Sequence, residues 1–241
     1  MPELGTIALL LLVSAGAAFV QRVSGFGLGI VAMLFFPYFM PSQAASAVAG
    51  LISCVGSSCN ALRYRSHVRF RLILPLLCAA LVAIPLAVHF SAAAPEAVLK
   101  RLLGVVLVLL SVYFLFFSKK IHMKPTAWNG ALAGFLGGTL SGLFSTGGPP
   151  AVLYLIHATE DNLTYFAAVQ AYFALTNIYS AVMRAINGIL TREVLMLAAL
   201  GILGWWVGDR LGAKVFDRLD LDRLRRIIYI GMIVSGVLML F

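Results

Sequence analysis

The sequence predicts an all-α polytopic membrane protein built as two inverted repeats, each a broken, re-entrant helical hairpin followed by three transmembrane helices. Three observations carry that expectation. The 241 residues are 61% hydrophobic and only 11% charged, with a mean hydropathy of +0.98, whereas a soluble domain carries about 25% charged residues. Apolar runs near the length that crosses a bilayer core, roughly 20 helical residues for about 30 Å, recur along the whole chain. Two of the longest apolar regions are interrupted by small and polar residues, "QRVSGFGLGIV" at Gln21–Val31 and "SGLFSTGGPP" at Ser141–Pro150.

The uninterrupted runs are Ser42–Leu62, Leu72–Phe90, Ala97–Phe117, Thr164–Met183, Thr191–Gly208 and Ile227–Phe241. The last two are short and are expected to extend into their charged flanks. Leu4–Met40 and Trp128–Ala158 are too long for one crossing, and each reads as two short helices meeting at a glycine-rich break. The first basic residue is Arg22, so the positive start of a signal peptide is missing, and this segment is expected to stay in the mature protein. Cys54, Cys59 and Cys78 lie inside apolar runs without the spacing of a metal site, as small membrane-buried side chains. No cofactor or metal is expected.

The order of features repeats. Ser24-Gly25 aligns with Ser141-Gly142 at an offset of 117, and the same offset carries Asn60 onto Asn177. Leu86-Ala87 matches Leu211-Gly212, and Lys100-Arg101-Leu102 matches Arg225-Arg226-Ile227, at an offset of 125. The repeats are residues 1–124 and 125–241, together one membrane domain. With three crossings per half, the second half is inverted. One side then holds Arg63–Arg71, Lys119–Lys124 and Arg210–Arg226, with thirteen Lys or Arg, against four (Lys100, Arg101, Arg184 and Arg192) on the other. The positive-inside rule makes the basic side cytoplasmic and puts both termini on the non-cytoplasmic side. The net charge of +9 belongs to those loops and does not point to nucleic acid.

Non-helical backbone at membrane depth persists only where protein or a watery cavity satisfies it. Glycine permits the unwinding, and Pro149 and Pro150 suit the first turn of a new helix. Helix N-termini meeting near the midplane direct free N–H groups at one spot and favour an anion. No Asp or Glu lies in the middle of an apolar run, while Arg22 is a charge placed within one, with Thr139 as its counterpart. An intramembrane charge points to function, although an arginine ending a short helix also snorkels to an interface. The expected substrate-binding residues are Arg22, Ser24, Gly25, Gly27, Gly29, Asn60, Ser141, Gly142, Ser145, Thr146, Gly147, Gly148, Pro149 and Asn177. Gln43 and Gln170 read as interhelical hydrogen bonders, and Gly130–Gly138 as a close-packing surface.

"SGFGLGIVAMLFFPYF", "SGLFSTGGPPAVLYLI" and the arginine-containing segments before the last helix of each half resemble the TauE/SafE family of sulfite exporters over nearly the whole chain. Its motifs fall on Ser24, Gly25, Gly27 and Gly29, and on Ser141, Gly142, Gly147, Gly148 and Pro149. "GGPP" stands where many relatives carry a third glycine. The resemblance implies an inner-membrane (plasma-membrane) multi-pass transporter with two related halves. Its expected partners are membrane lipid and a small anion such as sulfite, an organosulfonate or a related oxyanion. The membrane potential is worth about 2.3 kcal/mol per charge per 100 mV, so a dianion leaving a negative interior needs no coupling ion. The expected mechanism is alternating access, one half rocking against the other. A passive anion channel and a proton-coupled carrier stay open, as does a homodimer. A hydrolase pairing Ser141 or Ser145 with His157 lacks a recognised nucleophile pattern, and no enzymatic activity is expected.

Overall fold

A computed structural model describes residues 4–117, 123–215 and 221–240. Among them are ten α-helices and no strand. In chain order these are α1 (Leu4–Ser24), α2 (Leu28–Phe35), α3 (Ser42–Arg63), α4 (Phe70–Ala93), α5 (Glu96–Val112), α6 (Ala127–Phe144), α7 (Gly148–Ala158), α8 (Asn162–Ile186), α9 (Arg192–Val215) and α10 (Leu221–Leu238). Six of them, α1, α3, α4, α5, α8 and α9, are long and apolar enough to cross a membrane. A multi-pass helical membrane protein is therefore the fold. Of the basic loops, residues 119–122 and 216–220 lie outside the described residues.

Local chemistry explains where the helices begin. Asp161 caps α8, its carboxylate accepting from Leu163 N at 2.9 Å and Thr164 N at 2.8 Å. Those bonds, with the Thr164 N–H foremost, hold the carboxyl below its ordinary pKa. Glu96, at the head of α5, reaches across to α3 and accepts from Ser42 N at 2.9 Å, closing a helix that starts without a side-chain cap of its own. Thr126 caps α6 through Asn129 N.

Both breaks are present, but their first arms are longer than the sequence suggests. α1 has 21 residues and α6 has 18, while α2 and α7 have 8 and 11. Each interrupted region is thus a long helix followed by a short one. α2 continues as a 3-10 turn, Phe36–Tyr38, and α5 ends in a π-helical turn, Tyr113–Phe117.

Two seams of small residues join the helices. On α6, Gly134, Gly138 and Gly142 press in order against Leu76, Ala80 and Ala87 of α4. On α9, Gly204, Gly208 and Gly212 press in order against Leu11, Ala15 and Arg22 of α1. Glycine at every fourth position lets two backbones close, which is how helices associate where lipid supplies no hydrophobic drive. Both seams join helices that run in the same direction. Gly130 packs on Pro75 and Tyr154, so the Gly130–Gly138 surface is a packing surface. α3 and α8 cross the centre in opposite directions, because Ser46 meets Arg184 and Ser53 meets Asn177. Gln43 bonds across to Ser91 O of α4. Cys59 and Cys78 sit exposed on the outer surface of α3 and α4, with Cys54 partly covered, so they are not core residues.

Candidate functional site

The first break begins where α1 runs out. Ser24 Oγ lies between the carbonyls of Val20 and Phe26, at 2.7 and 2.5 Å, and competes with the next helical turn. Gly25 and Gly27 then adopt φ of 81° and 105°, a region that an L side chain rarely enters. α2 restarts at Leu28 behind Gly27, which has no side chain with which to cap it. The N–H groups of its first turn have no intrahelical partner, and Gly27, Leu28 and Gly29 border the space between the breaks.

The second break is built differently. Ser145, a serine and not a glycine, holds φ of 56°, and its N–H donates to the carbonyls of Leu140 and Ser141. Its hydroxyl donates to Ser46 O on α3 at 2.9 Å. α7 starts at Gly148, and the following Pro149 and Pro150 leave Gly148 as the free N–H donor of that turn. The two breaks touch backbone to backbone. A Cβ on Gly29 would overlap the Ser145 carbonyl, and one on Gly148 would lie 3.3 Å from Phe26. Gly147 in turn packs against the carbonyl of Gly137.

Each break is tied to the long central helix of the other half of the chain. Gln170 of α8 donates to Gly25 O at 2.8 Å. Ser46 and Arg184 hold the second break. Arg184 is 3% exposed, and its Nη2 donates to Ser46 Oγ at 2.7 Å, Ser141 O at 3.0 Å and Gly142 O at 3.2 Å. The sequence places Arg184 at a helix end among the loop charges. The structure instead buries it against the C-terminal carbonyls of α6, where the negative end of the helix favours a cation.

Between these elements lies a narrow, partly open cleft. Of the sequence-expected residues, Gly27, Gly29, Ser141, Ser145, Thr146, Gly147, Gly148 and Asn177 line it. Gln21, Ser53, Tyr172 and Thr176 line it too, and sequence reasoning missed them. Ser53 stands near the middle of α3, and Asn177 donates to its hydroxyl at 3.0 Å. Three polar atoms belonging to this lining, Gln21 Oε1, Thr146 Oγ1 and Tyr172 OH, are buried without a hydrogen-bond partner. Ser14 Oγ, Gln170 Oε1 and Ser180 Oγ, outside the lining, are buried without a partner as well; buried polar groups are nearly always satisfied, and half of these exceptions fall at this one cleft. No Asp, Glu, Lys, Arg or His is among the lining residues.

Arg22 is not in that lining, and neither is Ser24, Gly25, Asn60, Gly142 or Pro149. The expectation that no carboxylate neutralises Arg22 is overturned: its Nη1 lies 4.0 Å from Asp209 Oδ1 and 3.4 Å from Asn60 Oδ1. Asp209 belongs to the body of α9 and not to a loop, because that helix continues to Val215. Thr139 donates to Phe135 O in its own helix. His157 points Nδ1 at Leu153 O, at the far end of α7 from Ser145.

The family model for sulfite exporter TauE/SafE matches residues 10–239. The chain is 25% identical over 225 residues to the probable sulfite/organosulfonate exporter TauE of Cupriavidus necator, covering 89% of this chain and 84% of that protein. No solved structure matches it. A match over this length, on a helical membrane fold, means that the chain belongs to the TauE/SafE sulfite exporter family.

Proposed function

We propose that this protein exports sulfite, an organosulfonate or a related sulfur oxyanion through the cavity between its two breaks. The observation that carries the reading is the pair of unpartnered, buried hydroxyls on Thr146 and Tyr172 beside the uncapped N-termini of α2 and α7. Hydroxyl and N–H donors around a lining free of carboxylates suit an oxyanion. Such donors would replace part of the hydration shell that the anion leaves behind. The relative's name, a sulfite/organosulfonate exporter, agrees with the chemistry.

In this reading residues 1–124 and 125–241 are inverted repeats in the inner (plasma) membrane. The antiparallel crossing of α3 and α8 supports it, as does the exchange by which α1 packs on α9 and α6 on α4. Exposed apolar side chains such as Leu12, Leu74, Phe135 and Leu203 face lipid. The potential across the membrane drives the anion outward.

Flux in proteoliposomes under an imposed potential, across sulfite, methanesulfonate, sulfoacetate and a cationic control, tests the proposal. The expected result is saturable anion flux that follows the potential, reduced at least about tenfold by Thr146→Val or Tyr172→Phe, each hydrogen bond to a charged ligand being worth about 1.5–3 kcal/mol. Flux of no anion by folded protein would sink the reading. A proton-coupled carrier is favoured by one observation, Asp209 within α9 beside Arg22. In that case a pH gradient drives flux in the wild type and fails to in Asp209→Asn. Non-saturating flux without counterflow would mean a passive channel.

A further inference from the structure

We infer that Arg184 sets the charge preference of this site, acting as a positioning and electrostatic residue behind the second break. The inference rests on the anion reading above. Two arginines belong to helices that meet at the breaks. Arg22 lies outside the cavity lining, with a carboxylate, Asp209, 4.0 Å away. Arg184 forms no ion pair among the described residues, and each of its bonding partners, Ser46 Oγ, Ser141 O and Gly142 O, is neutral. A buried charge without a counterion is costly to keep. Its location explains what compensates it. Arg184 Nη1 and Ser145 Oγ both press on Gly50, at 2.5 and 2.8 Å from where a Cβ would stand, and Ser145 lines the cavity. The guanidinium therefore lies one side chain behind the site, holding the α6 carbonyls away from the ligand while its field reaches in. An anion in the cavity is the counterion that the protein leaves out.

A field of this kind acts in proportion to ligand charge, whereas a purely structural arginine would weaken every ligand alike. At the effective dielectric of a protein interior the difference is on the order of tenfold in affinity per unit of ligand charge. The experiment measures KM of flux for sulfite in mildly alkaline buffer, where it is a dianion, and for methanesulfonate, a monoanion. Three variants are compared with the wild type. Arg184→Gln is expected to weaken sulfite about tenfold more than methanesulfonate, and Arg184→Lys to keep the wild-type ratio. Ser46→Asp leaves the guanidinium in place and supplies a carboxylate beside it. It is expected to reproduce the selective loss, and it decides the matter if Arg184→Gln does not reach the membrane folded. Equal loss for both anions, or an unchanged ratio in Ser46→Asp, overturns the role of Arg184 and leaves the anion site standing. Wild-type flux of neither anion overturns both.

Discussion

At Ser145 the backbone holds φ of 56°, a conformation that costs an L residue roughly 1–2 kcal/mol. The hydroxyl returns about 1 kcal/mol by bonding Ser46 O. Ser145→Gly relieves the strain as it loses the bond, and is expected to unfold within about 1 kcal/mol of the wild type. Ser145→Ala loses the bond and keeps the strain, and is expected to be destabilised by about 1 kcal/mol. Thermal unfolding in detergent separates the two. Gly29→Ala has no such latitude, because its Cβ would overlap the Ser145 carbonyl. Overpacking of about 1–3 kcal/mol or more is expected there, visible as a lower unfolding temperature. The glycines and proline of both breaks were legible in the sequence because only small or φ-restricted residues suit such turns. Arg184 was not, since charge counting assigns an arginine near a helix end to the loops. Spacing held the missed signal: Gln170, Asn177 and Arg184 recur every seven residues, as do Ser46, Ser53 and Asn60, so each trio forms one polar stripe.

Helix lengths follow from where unwinding is forced, not from where hydrophobicity dips. The interrupted regions read as pairs of short helices because Arg22 and Ser141 look like the start of a polar gap. α1 in fact continues through Gln21 and Arg22 to Ser24, and α6 through Ser141 to Phe144. The six uninterrupted runs were legible as helices because bilayer length leaves a strong apolar signal, and α9 and α10 do extend into their charged flanks. Between elements, the glycine seams carry the closest contacts. Gly138→Leu on α6 and Gly208→Leu on α9 are each expected to cost about 1–3 kcal/mol or to prevent assembly. Leu203→Ala, on the exposed face of α9, serves as the control. Stability in detergent, read by monodisperse elution after heating, distinguishes them.

Over the whole molecule, charge and packing bear on the same question of orientation. Thirteen basic residues on one side predict that both termini face away from the cytoplasm. Single cysteines introduced at Glu3 and after Phe241, in a chain freed of Cys54, Cys59 and Cys78, are expected to react with a membrane-impermeant maleimide in intact cells. Protection of both would reverse the orientation. The seams add a mechanical consequence. α1 is fastened to α9, and α6 to α4, so each half of the chain is clasped by the other at its leading helix. Rocking of residues 1–124 against 125–241 would have to unfasten both clasps at every cycle. The closely packed pairs are mixed, α1 with α9 and α6 with α4, and each short helix beyond a break, α2 or α7, connects such a pair to the central α3–α8 pair. Hands folded together move at the knuckles and not by coming apart, and either half of this chain made without the other would lack the partner that its first helix is shaped to hold.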